Sequence, residues 1–227
     1  MGGSAGFIDL KPLPRVVGYT AIAFNQIVQK KIDPKSHVNE LDPLLGLLRK
    51  RNGIIFLKRL TIVLDEDSEK GFGLVSLFPS LCRRRSLSPS QTNGNISLVQ
   101  PYDILALTPT TSATFSLACL THSLPSPLTA HIISLPLTLP RLPFHLKHTL
   151  VRTAIKNGAV FEISYAGALG GDGDISTGGG ESGAGAKRNW WAAARELVRV
   201  TKGKGLIVSG GVGVEADLRA PRDIGNL

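Results

Sequence analysis

The chain of 227 residues has only two cysteines, Cys82 and Cys119, and aromatic residues make up just 6% of it. Two cysteines cannot form a disulfide framework or a paired-cysteine metal site, and their scarcity is typical of a reducing compartment. No apolar run approaches the ~18 residues that a membrane-spanning helix needs. The N-terminal residues lack a signal-peptide pattern, and glycine stands where myristoylation needs serine or threonine. We therefore expect no membrane partner.

Positive charge is what the chain has in excess. It contains 26 lysines and arginines against 17 acidic residues, which gives a formal net charge of +9. The basic residues are spread along the chain rather than gathered in one block, as contact with a phosphate backbone requires. Composition alone also allows an ordinary basic soluble protein. The excess charge nevertheless favours nucleic acid as the partner class, and 42% hydrophobic residues suffice for one domain with a core.

The segment 142–165 shows how the chain is organised. Leu146 and Leu150 begin an apolar face at helical spacing. Another face carries basic side chains four residues apart with one more beside them: His148, Arg152 and Lys156, with Lys147. Gly158 suits the left-handed conformation that ends a helix. The run 159–164 is typical of a buried parallel strand, so the segment predicts a basic helix that leads into a strand.

The same alternation runs along the rest of the chain. The predicted strands are 19–24, 58–64, 102–107, 130–135, 159–164 and 205–209, and the further predicted helices are 40–51, 110–121 and 189–202. This order predicts an α/β fold with a TIM-barrel-like parallel sheet surrounded by helices. Phe7 to Leu10 would add a strand, but 11–17 is too short for a crossover helix. We predict a loop at 25–39 and a single domain over 1–227, with flexible insertions at about 82–97 and 167–186.

Short blocks in a fixed order carry a resemblance to a known family. They are Tyr102-Asp-Ile-Leu-Ala-Leu107, Leu142-Pro-Phe144, Ala154-Ile with Gly158, Phe161-Glu-Ile with Tyr165, Lys202-Gly-Lys204, and Asp217 to Leu227. From about residue 18 onward, the chain resembles the thirty-kilodalton protein subunit family of ribonuclease P and ribonuclease MRP. The resemblance implies a degenerate barrel of the polymerase-and-histidinol-phosphatase (PHP) type. The family has a full helix in place of 11–17 and continues past Leu227, so we expect a barrel incomplete at both ends.

The resemblance also implies a function. The chain would be a non-catalytic protein subunit of ribonuclease P and of ribonuclease MRP, and the RNA subunit would carry out the cleavage. Ribonuclease P removes the 5′ leader of precursor tRNA, and the MRP particle processes ribosomal RNA. The implied partners are the ribonuclease P/MRP RNA, precursor tRNA within the particle and a small α+β protein subunit. The implied location is the nucleus, in the nucleolus. We expect no catalytic residue, metal ligand or cofactor on this chain.

Ten residues are candidates for RNA contact: Lys147, His148, Arg152, Lys156, Lys187, Arg188, Lys202, Lys204, Arg219 and Arg222. The resemblance places the basic pair of Lys187 and Arg188 near RNA. The two arginines near the C-terminus follow the last predicted strand, whereas Lys202 and Lys204 precede it at the opposite edge of the sheet. Either edge could contact a protein instead. With few aromatic residues, phosphate contacts should dominate over base stacking, and affinity should fall steeply with salt.

Two alternatives remain at this stage. A stand-alone metal-dependent phosphoesterase of the PHP type would need several histidines and acids at strand ends, and the five histidines are scattered. Glu162 is interpreted as a buried, hydrogen-bonded residue and Cys119 as a core residue. The glycine-rich run 170–185 is interpreted as a loop, because Ala186 stands where a phosphate-binding loop needs lysine. The second alternative is a scaffold protein without direct RNA contact.

Overall fold

The computed structural model describes residues 18–29, 37–48, 52–65, 96, 98–126, 128–170, 183–213 and 217–226. The predicted strand at 7–10 and almost all of the predicted insertion at 82–97 lie outside these ranges. The described strands are β1 (Ala21–Val28), β2 (Ile55–Leu64), β3 (Ile104–Pro109), β4 (Ile132–Ser134), β5 (Val160–Ser164) and β6 (Leu206–Ser209). The described helices are α1 (Leu41–Leu47), α2 (Ser112–Leu120), α3 (His148–Lys156), a 3-10 helix (Tyr165–Leu169), α4 (Gly183–Thr201) and α5 (Pro221–Ile224).

The six strands form one sheet whose spatial order is the order of the chain. Every neighbouring pair is parallel. Crossovers between parallel strands are right-handed, so a sheet in chain order receives its connecting helices on one face. The other face becomes concave, and the strands form half of a barrel with helices around it. The predicted fold class, a TIM-barrel-like parallel sheet with surrounding helices, is confirmed.

Side chains of β2 alternate between the two faces of the sheet. Leu60 and Ile62 face the helices and are fully buried, whereas Arg59 and Thr61 face the concave side. The apolar layer continues across the sheet through the strand register: Leu105, Leu107, Ile133 and Phe161. The hydrophobic core therefore lies between the sheet and its helices, and polar residues are placed on the concave face.

The first described strand is longer than the sequence predicts. β1 runs to Val28, whereas we predicted a loop from Asn25 onward, and that part of the prediction is wrong. The polar residues stay in the strand because distant groups bind their side chains. Asn25 Oδ1 accepts a hydrogen bond from the Thr61 hydroxyl at 2.6 Å, and Gln26 Nε2 donates to the Val38 carbonyl at 2.9 Å. Such partners are invisible in the local pattern.

The end of α3 follows the sequence closely. Gly158 has φ +98°, the left-handed conformation expected of it. The Ala159 N–H donates to the Ala154 carbonyl at 3.0 Å and the Gly158 N–H to the Ile155 carbonyl at 3.1 Å, which completes a Schellman motif. The chain can then turn directly into β5, so the predicted helix and strand are both confirmed.

The glycine-rich stretch is bounded by regular structure on both sides. The 3-10 helix covers Tyr165–Leu169, where a side chain at Gly167 would come within 2.5 Å of the Trp190 ring. Gly167 therefore allows close packing against α4. That helix begins at Gly183, six residues before the predicted start, and already buries Ala186. Residues 171–182 of the predicted insertion lie outside the described ranges.

Two titratable residues are buried near the end of α2. Cys119 is fully buried, and burial raises the pKa of its thiol to about 12, so its interpretation as a core residue is confirmed. His122 is 3% exposed, and burial lowers its pKa to about 4. The imidazole is therefore neutral in the folded protein at pH 7. Protonation of His122 is therefore linked to stability, because the unfolded chain takes up the proton at a higher pH than the folded chain does.

We expect the protein to lose stability as the pH falls from 6.5 to 4. The unfolded chain protonates His122 near pH 6.5, whereas the folded chain resists until about pH 4. The His122 contribution is therefore complete above pH 6.5 and declines by about 3 kcal/mol across this window. Urea unfolding of the parent and of His122→Gln at pH 7 and pH 4.5 measures it. An equally steep loss in both proteins would contradict this expectation.

Candidate nucleic-acid interface

The concave face of the half-barrel contains a buried ion pair between β2 and β5. The guanidinium of Arg59 donates to both oxygens of Glu162, from Nη1 to Oε1 and from Nη2 to Oε2 at 2.6 Å. Arg59 Nε also donates to Thr61 Oγ1 at 3.0 Å, and the Thr61 hydroxyl donates to Asn25. One network thus joins β1, β2 and β5 across the sheet.

The pair holds Glu162 in its ionised form. Arg59 is 9% exposed and Glu162 is 3% exposed. Burial raises the pKa of Glu162, but the Arg59 guanidinium, with the hydroxyls of Ser209 and Ser134, outweighs burial and keeps the pKa below its ordinary value. The interpretation of Glu162 as a buried, hydrogen-bonded residue is confirmed. Its acceptor positions are occupied within the protein, so it is poorly placed to serve as a general base or metal ligand.

The carboxyl edge of the sheet, where the strands end, is where α/β-barrel enzymes place their catalytic groups. On the concave side of this edge, the register places hydroxyl side chains: Thr108, Ser134, Ser164 and Ser209. Within the described ranges, no group of three or more histidine, cysteine or acidic side chains is arranged to hold a metal ion. The described concave face thus combines hydroxyls with an internally paired Arg–Glu couple.

The histidines do not converge in the structure. His37 shares a hydrogen bond of 2.9 Å with the Tyr102 hydroxyl, and His131 Nδ1 accepts from the Leu105 N–H at 3.1 Å. The other three are one buried residue and two exposed ones: His122, His145 and His148. In addition, no helix in the described part of the chain is long and apolar enough to cross a membrane.

All ten candidate RNA-binding residues are exposed. The topology divides most of them between the two edges of the sheet, because the helices run antiparallel to the strands that they connect. Toward the carboxyl edge lie Lys147, His148, Lys187, Arg188, Arg219 and Arg222. At the amino edge, where strands begin, lie Lys156, Lys202 and Lys204, with Arg152 between the edges on α3. The structure therefore brings them together as two basic groups.

Most of these cations have no carboxylate partner among the described residues. Ion pairs of the described chain involve other basic side chains, namely Lys58 with Asp42, Arg59 with Glu162, and Arg199 with Glu196. The candidates outside such pairs are Lys147, Arg152, Lys156, Lys187, Arg188, Lys202, Lys204 and Arg222. Exposed cations without internal counter-charges are available to an external polyanion.

The start of α3 presents cations where helix electrostatics oppose them. Lys147 is the N-cap residue and His148 the first helical residue, and the first turn contains no acidic side chain. Anions are favoured at a helix N-terminus and cations at its C-terminus. Lys156, in the last turn of α3, gains from the dipole, whereas Lys147 does not. The charge at Lys147 therefore has no local stabilising role in the helix.

The segment after β6 is attached to the residues just before β1 and just after β5. The Tyr19 hydroxyl donates to the Arg219 carbonyl at 2.9 Å, and the Arg219 N–H donates to the Tyr165 hydroxyl at 3.2 Å. Pro221 lies 3.6 Å from the position that a side chain at Gly18 would occupy. The backbone around Arg219 is thereby fixed, which places the last two candidate arginines on an ordered segment.

Sequence reasoning missed three residues. Arg59 lies on the concave face in the ion pair with Glu162, and a charged residue within an otherwise apolar strand is the sequence pattern that could have indicated it. Trp191, 40% exposed, and Arg195 line a largely apolar groove of about 370 Å³ between α4 and β6. They stand four and eight residues after Lys187, so helical spacing could have found them. They extend the basic surface of α4 with an aromatic side chain.

The geometry defines an α/β half-barrel protein whose concave face carries an internally paired Arg–Glu couple and whose exterior is basic. The family described as RNase P subunit p30 matches residues 86–227, more than half of the chain. The chain belongs to this family of ribonuclease P protein subunits, and the resemblance inferred from its sequence blocks is confirmed.

Similar proteins align with almost the whole length of this chain. Mouse (Mus musculus) "Ribonuclease P protein subunit p30" is 29% identical over 231 residues, covering 96% of this chain and 72% of the mouse protein. Schizosaccharomyces pombe "Probable ribonuclease P protein subunit 3" is 29% identical over 218 residues, covering 96% and 73%. A chain from a cryo-EM structure of archaeal ribonuclease P with mature tRNA has a TM-score of 0.53 at 11% identity. That match covers 88% of this chain and 69% of the archaeal chain, and it supports the fold.

We expect the Arg59–Glu162 pair to behave as one unit. Glu162→Gln leaves a buried guanidinium without its counter-charge and should lower the free energy of unfolding by about 3–5 kcal/mol. The double variant Arg59→Met/Glu162→Leu removes both charges and should recover most of that loss. Urea unfolding of the parent, Arg59→Met, Glu162→Leu and the double variant gives the coupling energy. Additive effects of the two substitutions would show that the pair is not coupled.

Proposed function

We propose that this chain is a non-catalytic protein subunit of ribonuclease P that binds the catalytic RNA through phosphate contacts on its basic exterior. Family membership supplies the biological context. The proposed mode of binding is supported by the exposed lysines and arginines that have no carboxylate partner in the described chain. Cations placed in this way attract a polyanion and release its counterions on binding. Phosphodiester cleavage would take place on the RNA.

The arrangement of the concave face supports a role other than catalysis. Arg59 and Glu162 satisfy each other, so neither is available to activate water. The described carboxyl edge offers hydroxyls where a phosphoesterase would need converging histidines and acids. No specific observation favours the alternative of a stand-alone metal-dependent phosphoesterase. Metal analysis of the purified protein, with a generic phosphodiester substrate, tests that alternative: stoichiometric metal with turnover would overturn the proposed role.

We further propose specific partners and a location, on the basis of the family resemblance of the sequence blocks. The partners are the ribonuclease P RNA, precursor tRNA within the particle and a small α+β protein subunit of the same assembly. The chain also serves ribonuclease MRP and so takes part in ribosomal RNA processing. Its location is the nucleus, in the nucleolus. Purification of the tagged chain from its own cells, followed by sequencing of bound RNA and mass spectrometry of bound proteins, tests each of these partners.

We expect RNA affinity to depend on the basic residues of the carboxyl edge. Replacing Lys187, Arg188, Arg219 and Arg222 by alanine should weaken binding to ribonuclease P RNA by at least about tenfold at moderate salt. Each lost phosphate contact should also reduce the slope of log affinity against log salt by about one. Filter binding across a salt series measures both quantities.

A matched control removes cations that already have internal partners. The pair Lys187→Ala/Arg188→Ala is compared with Lys58→Ala/Arg199→Ala, since Lys58 is bound to Asp42 and Arg199 to Glu196. Both double variants lose two positive charges. The control should bind RNA nearly as well as the parent. Equal affinity and equal salt slope in the parent and the quadruple variant would instead support a scaffold without RNA contact at this edge.

A further inference from the structure

The turn that follows α4 holds a lysine in a conformation that favours glycine. Lys202 has φ +55°, and among the described residues every other positive φ belongs to a glycine. Left-handed backbone brings Cβ too close to the following carbonyl oxygen, which is why glycine is usual at such positions. Strain of this kind persists where the surrounding structure demands it, and it often marks a functional position.

The chain contains its own comparison in α3. Both helices end in the same six-residue hydrogen bond: Ala159 N–H to the Ala154 carbonyl at 3.0 Å, and Gly203 N–H to the Val198 carbonyl at 3.3 Å. The first residue past the helix is left-handed in both cases, Gly158 after α3 and Lys202 after α4, but after α4 the next residue, Gly203, is left-handed as well at φ +71°. The first left-handed position is therefore occupied by glycine after α3 and by lysine, which such a position disfavours, after α4.

The surroundings of Lys202 are basic. A side chain at Gly205 would lie 2.8 Å from Ile155, so the turn packs directly against the last residues of α3. This contact brings Lys202 and Lys204 to the same end of the half-barrel as Lys156. All three are exposed, and none forms an ion pair with a described carboxylate. The strained turn therefore presents its ammonium group at the same end of the half-barrel as those of Lys204 and Lys156.

We propose that Lys202 occupies this left-handed position because its ammonium group binds a backbone phosphate of RNA, together with Lys204 and Lys156. The inference rests on the proposed RNA-binding function and adds a second phosphate-binding surface at the amino edge. A lysine on a fixed turn loses less conformational freedom on binding than one on a free loop. The end of α4 is less stable with lysine than it would be with glycine, but the turn holds the charge in a defined place.

The test uses a substitution that should improve stability and impair binding at the same time. Lys202→Gly relieves the left-handed conformation and should raise the Tm by about 2–4 °C. It should also weaken binding to ribonuclease P RNA about three- to tenfold and lower the salt slope by about one. A stabilised protein that binds less well cannot be explained by damage to the fold.

Further variants separate charge from conformation. Lys202→Asn keeps a residue that tolerates the left-handed region and should lose RNA affinity as Lys202→Gly does. Lys202→Arg keeps the charge and should bind within about twofold of the parent. The opposite change at the matching position, Gly158→Lys, should lower the Tm by an amount comparable to the gain in Lys202→Gly.

Several results would overturn the inference. Parental RNA affinity and salt slope in both Lys202→Gly and Lys202→Asn would do so, even if the carboxyl-edge variants still lose affinity and the proposed function stands. The same holds if these variants keep RNA affinity but lose a protein partner on purification. A Tm that does not rise in Lys202→Gly removes the premise of strain. A parent protein that binds no ribonuclease P RNA defeats the proposed function together with this inference.

Discussion

The Arg59–Glu162 ion pair is the constraint on which the described architecture depends. Its partners belong to β2 and β5, which are separated by two intervening strands, or about 14 Å of sheet. A bidentate contact over that span requires the strands to curve toward each other, so the pair and the half-barrel shape support one another. Burying two charges is expensive, and the loss is offset only when nearly every donor and acceptor is satisfied. The hydroxyls of Thr61, Ser134 and Ser209 help to meet that demand.

The buried charges of this network neutralise each other within the protein, whereas many exposed charges of the described chain have no such partner. Inside, the charges of Arg59 and Glu162 cancel. Outside, Lys58 and Arg199 have carboxylate partners, while many of the remaining exposed cations have none in the described chain. A protein that bound a small substrate would concentrate its unmatched polar groups in a pocket. Here they lie around the edges of a curved sheet, as contact with a large polyanion requires.

The parts of the fold that local chemistry dictates could be predicted from the sequence. The helix that ends at Gly158 and the strand after it follow from apolar spacing and one glycine. Other parts depend on contacts between distant residues. Arg59 and Glu162 are 103 positions apart, so neither residue reveals its partner, although Glu162 alone suggested burial. The polar pattern from Asn25 onward predicts a loop because Thr61, the partner of Asn25, lies 36 positions further along the chain. The amino-edge grouping of Lys156 with Lys202 likewise needed the packing of Gly205 against Ile155.

Helix electrostatics and backbone sterics account for the positions of some basic residues but not of others. Lys156 lies in the last turn of α3, where the helix dipole favours a cation, so stability alone can account for it. Lys147 caps the opposite end of the same helix, where the dipole disfavours its charge. Lys202 stands at a backbone position where glycine would be easier. Helix electrostatics oppose the charge of Lys147. At Lys202 the dipole of α4 favours a cation by about 0.3–1 kcal/mol, but the left-handed backbone costs about 1–2 kcal/mol, so an interaction outside the folded chain is the better explanation for both lysines. Lys147 and Lys202, which the fold itself does not need, are therefore stronger candidates for RNA contact than Lys156.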